Sequence, residues 1–209
     1  MSGTVLIADD HPLFRQALTL AVQRVAPTAK LVEAGTLAAA ARAVSEAADL
    51  RLILLDLKMP GAIGYSGIAL LHAERPEVPI LVVSSAEGES AAQEARAFGA
   101  IGFLRKDADL AAIEAAIGRA LNAAPPTSSP APSRPEDAVR QTVAGLTPTQ
   151  LKVLLAVLEG QLNKQIAHSL GMSEATVKAH MTAIMRKLDV RNRTQAALVA
   201  RSLGLDLKH

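Results

Sequence analysis

The chain has 209 residues, of which half are hydrophobic and only 2% aromatic, and its formal net charge is +2. This length allows one or two globular domains, and the lack of cysteine excludes disulfides, thiolate metal sites and cysteine catalysis. The apolar run after Met1 ends at Asp9-Asp10, so no signal peptide is predicted, and no segment approaches membrane-spanning length. We therefore expect a cytoplasmic protein that does not contact the membrane.

Short apolar strands alternate with helical patterns over residues 1–122. Strands are predicted over Thr4–Ala8, Leu31–Ala34, Leu52–Leu55, Pro79–Val83 and Ile101–Leu104. Helices are predicted over Leu13–Val25, Thr36–Ala48, Ile68–His72, Ser90–Phe98 and Asp109–Leu121. Such alternation is typical of an α/β domain with a doubly wound parallel sheet, in which the all-apolar third strand lies at the centre.

The regular pattern stops between residues 123 and 143. Five of the eleven prolines lie between Pro125 and Pro135, interleaved with serine, threonine and alanine. A segment of this composition buries little apolar surface, so we predict an extended linker over 123–143 between two domains.

Residues 144–209 are predicted to be entirely helical. Thr147-Pro148-Thr149-Gln150 has the pattern of a capping box, and a short helix from Asn163, a glycine turn and a longer helix from Ser173 to Leu188 have the spacing of a helix-turn-helix. This part carries a net charge of +5, whereas residues 1–143 carry −3. Only the C-terminal domain is therefore suited to a polyanion such as DNA.

Polar side chains follow the strands of the predicted sheet. Asp9 and Asp10 come after the first strand, Asp56 after the third, Ser84 after the fourth and Lys106 after the fifth. The carboxyl ends of parallel strands meet at one edge, where three carboxylates need a cation, and Mg²⁺ with its preference for oxygen ligands fits best. A carboxylate nucleophile, a metal, an ammonium and a hydroxyl are the groups that phosphoryl transfer to Asp56 would need.

The same edge resembles the receiver domain of bacterial two-component response regulators. The motifs, at family spacing over residues 1 to about 122, are Ile7-Ala8-Asp9-Asp10-His11-Pro12, Leu55-Asp56-Leu57-Lys58-Met59-Pro60-Gly61, Val83-Ser84 and Gly102-Phe103-Leu104-Arg105-Lys106. The resemblance implies that Asp56 accepts a phosphoryl group from a histidine of a sensor kinase. His11 is interpreted as a residue that starts a helix and not as a phosphodonor.

The receiver resemblance also implies roles for the surrounding residues. Asp10 would bind Mg²⁺ directly, Asp9 through water, and Lys58 through its carbonyl oxygen, with Asp56 completing the metal site. Ser84 and Lys106 would hold phosphoryl oxygens. Phe103 matches the aromatic whose position changes together with that of the hydroxyl residue.

The helix from Glu174 to Leu188 has an apolar face and a small, basic outer face. Val177, Met181, Ile184 and Leu188 recur at helical spacing, which leaves Ala175, Lys178, Ala179, Thr182 and Arg186 outward. An outer face of this kind suits insertion into the major groove of DNA. Neighbouring residues are candidates for phosphate contacts: Asn163, Lys164, Thr176, Lys187, Arg191 and Arg193.

Residues 144 to about 205 look like a LuxR-type helix-turn-helix. The motifs are Gly145-Leu146-Thr147-Pro148, Asn163-Lys164-Gln165-Ile166-Ala167, Ser173-Glu174-Ala175-Thr176-Val177-Lys178-Ala179-His180 and Arg186-Lys187-Leu188. With the receiver, they make the chain resemble a NarL/FixJ-type response regulator, in which Lys178, Ala179 and Thr182 would face the bases.

The predicted function is that of a transcription factor controlled by phosphorylation, and not of an enzyme. Phosphorylation would expose a dimerisation surface or release the C-terminal domain, so that a homodimer reaches two half-sites on double-stranded DNA. Three alternatives are open. The chain could be a regulator that binds DNA without phosphorylation, a LuxR-type sensor of an acyl signal, or an Mg²⁺-dependent phosphatase with an aspartate nucleophile. Lys58 disfavours the last, because it stands where haloacid-dehalogenase-type phosphatases place their general acid, and the few aromatics disfavour an acyl pocket.

Overall fold

The computed structural model describes residues 3–85, 89–123 and 135–205. Its strands are β1 (Thr4–Ala8), β2 (Lys30–Ala34), β3 (Leu50–Leu55), β4 (Ile80–Ser84) and β5 (Gly102–Arg105). The helices of the first half are α1 (Pro12–Val25), α2 (Leu37–Glu46), α3 (Ser66–Glu74), α4 (Glu89–Ala97) and α5 (Leu110–Asn122). Those of the second half are α6 (Pro135–Ala144), α7 (Pro148–Leu158), α8 (Asn163–Leu170), α9 (Glu174–Lys187) and α10 (Arg193–Ser202).

The five strands form one parallel sheet in the order β2-β1-β3-β4-β5, with helices on both faces. One apolar cluster packs α1 and α5 against one face, and a larger cluster packs α2, α3 and α4 against the other. The central strand is apolar and buried from Leu52 to Leu55, where both of its faces are covered. The predicted doubly wound α/β fold is confirmed.

The structure differs from the predicted extended linker in its second half. Residues 124–134 lie outside the described residues, but Pro135–Ala144 form α6. This helix packs against α3 and α4, and it buries Val143 completely and Arg140 almost completely. Tertiary packing therefore stabilises a helix in a segment whose composition favours an extended chain.

The C-terminal helices form the predicted helix-turn-helix. The capping box of α7 is present, with Thr147 and Gln150 exchanging side-chain and backbone hydrogen bonds. Gly171 closes α8 in the left-handed conformation with φ of 64°, and Ser173 caps α9. Among the described residues, none of the helices combines the length and apolarity that crossing a bilayer requires.

The C-terminal helices contact the receiver through its α3–α4 side. The Tyr65 amide donates to the Gly204 carbonyl at 3.2 Å, and the Lys152 ammonium in α7 pairs with Glu74 in α3 at 2.8 Å. Burial, together with the neighbouring Glu94 carboxylate, raises the pKa of Tyr65 to about 12, although the Arg140 guanidinium acts in the opposite direction. A cleft of about 410 Å³ remains between α2, α3 and α7, so the two domains do not fuse into one core along their whole boundary.

Gly99 closes α4 at a point where a side chain has no room. Its φ is +107°, and an added Cβ would lie 2.6 Å from Cγ of the half-buried His72 ring. We expect Gly99→Ala to lower the free energy of unfolding of the receiver by about 2–4 kcal/mol, since backbone strain and steric overlap act together. Urea denaturation followed by fluorescence of Tyr65, the single tyrosine in a chain without tryptophan, measures this loss.

Gly118→Ala is the matched control. Gly118 lies inside α5, where the nearest atom to an added Cβ is 3.7 Å away, and alanine in a helix is favoured over glycine by about 1 kcal/mol. Its unfolding midpoint should equal or exceed that of the wild type. Similar losses in both variants would contradict the steric explanation.

Candidate functional site

Strand register brings the acidic residues together. Ala8 of β1 is paired with Leu55 of β3, so Asp9 and Asp56 follow side by side, and the Asp56 amide donates to the Ala8 carbonyl at 2.8 Å. On the other side Ser84 is paired with Arg105, and the Lys106 amide donates to the Ser84 carbonyl at 3.0 Å. The structure therefore brings Asp9, Asp56, Ser84 and Lys106 to the carboxyl edge of the sheet, as the sequence predicts.

Lys106 is the cation that the carboxylates share. Its ammonium lies 2.8 Å from Asp56 Oδ2 and 2.6 Å from Asp9 Oδ2, and it sits over the Phe14 ring at 4.9 Å from the centroid. Burial alone would lower the pKa of Lys106, but the hydrogen bonds to Asp56 and Asp9 raise it above the ordinary 10.5. Its contribution to stability is therefore fully present below pH 10.5 and is lost only as the pH rises through the higher pKa of the folded protein.

Asp10 and His11 complete the cluster on the outer side. His11 Nδ1 lies 2.8 Å from Asp10 Oδ1, 3.1 Å from Asp9 Oδ1 and 3.9 Å from Asp56 Oδ2. The sequence interpretation assigned His11 only to the start of α1 and missed its position in the site. Its place directly after two aspartates and before the proline that starts α1 was the available signal.

The other predicted site residues lie around Asp56. Asp56 itself is buried, and its Oδ1 accepts a hydrogen bond from the Lys58 amide at 3.1 Å, while the Lys58 side chain is exposed. Ser84 is fully buried at the end of β4. Phe103 is paired with Val82 and half-buried against the larger apolar cluster.

The cluster suits a hard divalent cation. One ligand atom each from Asp9, Asp10, His11 and Asp56 lies within 4.8 Å of the others, and the Lys106 ammonium pairs with only two of the three carboxylates, Asp9 and Asp56. Asp10 Oδ1 is also buried without a hydrogen bond. A buried carboxylate oxygen without a donor is costly unless a cation is near it, and carboxylate oxygens are the ligands that Mg²⁺ prefers.

The outer face of α9 is open to solvent. Lys178, Ala179, Thr182 and Arg186 are exposed, as the helical spacing predicts, whereas Val177, Met181 and Ile184 are buried. The Thr182 hydroxyl donates to the Lys178 carbonyl at 3.0 Å, and Thr176 at the start of the helix bonds to the capping Ser173. The contacts to the receiver described above come from α6, α7 and Gly204, and they leave these α9 side chains exposed.

The predicted phosphate-contacting residues are in different environments. Lys164 is exposed. The Lys187 ammonium, in contrast, donates to the Gly145 carbonyl and to Gln150 Oε1 at 3.0 and 2.9 Å. The Arg193 guanidinium donates to the Gln161 carbonyl at 2.9 Å and to Asn163 Oδ1 at 3.4 Å, so these groups join helices within the domain.

Two protein families match the two halves of the chain. Residues 5–118 match the family described as "Response regulator receiver domain", and residues 144–200 match "Bacterial regulatory proteins, luxR family". The boundaries of the two matches fall on either side of the proline-rich segment.

Several curated relatives match along nearly the whole chain. The "Glycerol metabolism activator" of Pseudomonas putida is 39% identical over 207 residues, which cover 94% of both chains. The nitrate/nitrite response regulator protein NarP of Escherichia coli is 30% identical over 204 residues and covers 93% of both. These relatives are transcription and response regulators.

Solved structures share the fold. An RcsB response regulator from Salmonella typhimurium has a TM-score of 0.54 at 21% identity and covers 96% of this chain and 98% of its own. A CheY-like receiver from Methanospirillum hungatei has a TM-score of 0.53 at 17% identity and covers 58% of this chain and 95% of its own.

Replacing the shared cation tests whether the cluster holds an ion. In Lys106→Met the carboxylates lose their ammonium partner, so added Mg²⁺ should raise the midpoint of thermal unfolding more than it does in the wild type, by on the order of 1 kcal/mol in stability. Arg105→Met is the control, because Arg105 pairs instead with the exposed Asp107. If Lys106→Met fails to respond to Mg²⁺, the cluster is not a cation site.

The contrast between Lys164 and Lys187 tests the DNA surface. On a non-specific duplex, Lys164→Ala should reduce the slope of log affinity against log salt by about 0.9, the value for one phosphate contact, without lowering thermal stability. Lys187→Ala should lower the stability of the C-terminal domain, because its bonds to Gly145 and Gln150 are lost. Unchanged salt dependence in Lys164→Ala would remove Lys164 from the interface.

Proposed function

The chain belongs to the two-component response regulators that join a receiver domain to a LuxR-type DNA-binding domain, and we propose that phosphorylation of Asp56 controls how it binds DNA. Proteins of this family receive a phosphoryl group from a sensor histidine kinase and act on DNA as transcription regulators. The proposal assigns the chain a regulatory role in the cytoplasm and no enzymatic activity of its own.

One observation supports Asp56 as the acceptor more than any other: the Lys106 ammonium joins Asp56 to Asp9 at the carboxyl edge of the sheet. An Asp56 carboxylate oxygen attacks the phosphorus of the phosphohistidine, the bond from phosphorus to the histidine nitrogen breaks, and an acyl phosphate forms. Lys106 then exchanges a carboxylate oxygen for a phosphoryl oxygen and keeps a charge-assisted contact throughout.

Mg²⁺ is the proposed cofactor, and the unbonded Asp10 oxygen is the observation that supports it. Asp10 and Asp56 would bind it directly, together with the Lys58 carbonyl, and Asp9 would bind it through water. When bound, the ion neutralises charge on the carboxylates and on the incoming phosphoryl group.

Ser84 and Phe103 are proposed to report the modification. Ser84 is fully buried on a strand beside β3, so its hydroxyl has little room to move unless the end of β4 shifts. Phe103 packs from the next strand and is only half-buried, so complete burial does not fix its ring in place as it does the Ser84 side chain. The helix that follows β4 is α4, which contacts α6. A shift of β4 therefore reaches the C-terminal half through a direct contact.

Dimerisation is the output that the exposed α9 favours. Because Lys178, Ala179 and Thr182 are already exposed, the protein does not need to release its C-terminal domain in order to uncover them. A single helix-turn-helix module gives modest affinity, whereas two modules on two half-sites give more. Phosphorylation is therefore proposed to act by pairing two copies of the chain, with the bases read by these three residues.

The same exposure supports a second candidate, a regulator that binds DNA without phosphorylation. The two candidates share the DNA-binding surface and differ only in whether an occupied Asp56 changes the association of the protein. We further propose residues 1–122 as the receiver and 144–209 as the DNA-binding domain, with 123–143 between them containing α6.

Beryllofluoride, which mimics a phosphoryl group on aspartate, separates the two candidates. With Mg²⁺ and beryllofluoride the wild-type mass measured by light scattering should double, and Asp56→Ala should remain a monomer. Asp56→Ala should also lose the acid-stable, base-labile label that acetyl phosphate leaves on the wild type.

Asp107→Asn is the matched control, since Asp107 is an exposed aspartate at the same edge that pairs with Arg105. It should dimerise and label as the wild type does. Label that persists in Asp56→Ala would overturn the assignment of Asp56 as the acceptor. If beryllofluoride occupies the site but changes neither the mass nor the DNA affinity of the wild type, the regulator that binds DNA without phosphorylation is favoured.

A further inference from the structure

His11 directs a ring nitrogen into the acidic cluster although most of its side chain is exposed. The side chain is 63% exposed, yet Nδ1 lies 2.8–3.9 Å from one oxygen of each of Asp9, Asp10 and Asp56. Two features hold it there. The His11 amide donates to Asp9 Oδ1 at 2.8 Å, and Pro12 fixes the backbone at the start of α1.

Hydrogen bonding accounts for only one of these three contacts, the one between Nδ1 and Asp9 Oδ1 at 3.1 Å. Asp10 Oδ1 is buried and lies 2.8 Å from Nδ1, but the pair does not have hydrogen-bond geometry. Asp9 Oδ1 accepts the His11 amide and also lies at hydrogen-bond distance from Nδ1, where the donor depends on the ring tautomer. The ring nitrogen and one oxygen of each carboxylate therefore surround a common region.

The neighbouring ammonium favours a free lone pair on Nδ1. Lys106 Nζ lies 3.4 Å from Nδ1, and a lysine ammonium has only donors to offer. The contact is favourable when the ring proton is on the other nitrogen, Nε2. In that tautomer Nδ1 is available as a ligand.

The spacing of the four atoms matches that of ligands around one ion. Ligand atoms bound at about 2.1 Å in an octahedral arrangement lie about 3.0 Å or about 4.2 Å from one another. The three distances from Nδ1 fall in or next to this range, and all four ligand atoms lie within 4.8 Å of each other. A tighter or wider group would need rearrangement before it could share an ion.

We propose that His11 is a nitrogen ligand of the receiver metal site, which raises the affinity of the site for first-row transition ions such as Mn²⁺ relative to its affinity for Mg²⁺. Imidazole suits these ions, whereas Mg²⁺ prefers oxygen and retains its waters. The inference rests on the proposed function only in that the same carboxylates hold the ion. It adds His11 as the residue that determines which ion is preferred.

Electron spin echo spectroscopy of Mn²⁺ bound to the full-length protein tests the proposal directly, because it detects a coordinated nitrogen. The wild type should show modulation from a directly bound ¹⁴N, and His11→Gln should lose it. The ratio of Mn²⁺ to Mg²⁺ affinity, measured by calorimetry, should fall tenfold or more in His11→Gln. His168→Gln is the control, because His168 is an exposed histidine on α8, far along the chain from the cluster; it should keep both the modulation and the ratio.

The outcomes also distinguish this inference from the proposed function. Bound Mn²⁺ without nitrogen modulation, or modulation that persists in His11→Gln, overturns the role of His11. Neither result affects phosphorylation of the wild type at Asp56 in Mg²⁺, which is read from the acid-stable label. Loss of that label would overturn the proposed function even if His11 proved to be a ligand.

Discussion

The structure of the receiver depends on placing three carboxylates at one edge of a parallel sheet. Pairing of Ala8 with Leu55 sets Asp9 beside Asp56, and Asp10 follows directly. Carboxylates within 4.8 Å of one another repel by about 3 kcal/mol per pair at an effective dielectric constant near 20. This repulsion lowers the stability of the fold, and the apolar clusters on both faces of the central strand supply the stability that offsets it.

The Lys106 ammonium reduces that repulsion, and the pairing of β5 with β4 determines where Lys106 lies. Because β5 pairs in register with β4, the chain delivers Lys106 opposite the acidic residues from an adjacent strand end. One ammonium cannot neutralise three carboxylates, so the cluster keeps a net negative charge, which the proposed metal ion would offset. This electrostatic imbalance, which the fold leaves in place, is the basis of the phosphoryl chemistry proposed at Asp56.

The two halves of the chain contact each other through the helices that follow β3 and β4. Strand β4 ends at Ser84 in the cluster and leads to α4, which together with α3 supports α6 and α7. The Lys152–Glu74 pair and the bond from Tyr65 to Gly204 lie on this side, while the outer face of α9 stays exposed. The arrangement restrains the C-terminal domain without covering the residues proposed to read the bases.

The sequence by itself determined the α/β fold, the helix-turn-helix and the edge where Asp9, Asp10, Asp56, Ser84 and Lys106 collect. It could do so because strand ends, caps and apolar periodicity are local signals. Tertiary structure decided what depends on side-chain direction and long-range packing. It directs the His11 ring nitrogen toward the acidic cluster, and it places the side chains of Lys187 and Arg193 in hydrogen bonds to neighbouring parts of the domain. It also stabilises α6 at the end of the proline-rich segment. The contacts of Lys187, Arg193 and α6 could not be predicted locally, because each partner lies on a different element. For His11 the local sequence fixes the backbone, but the ring direction also depends on contacts with Asp56 and Lys106 on other strands.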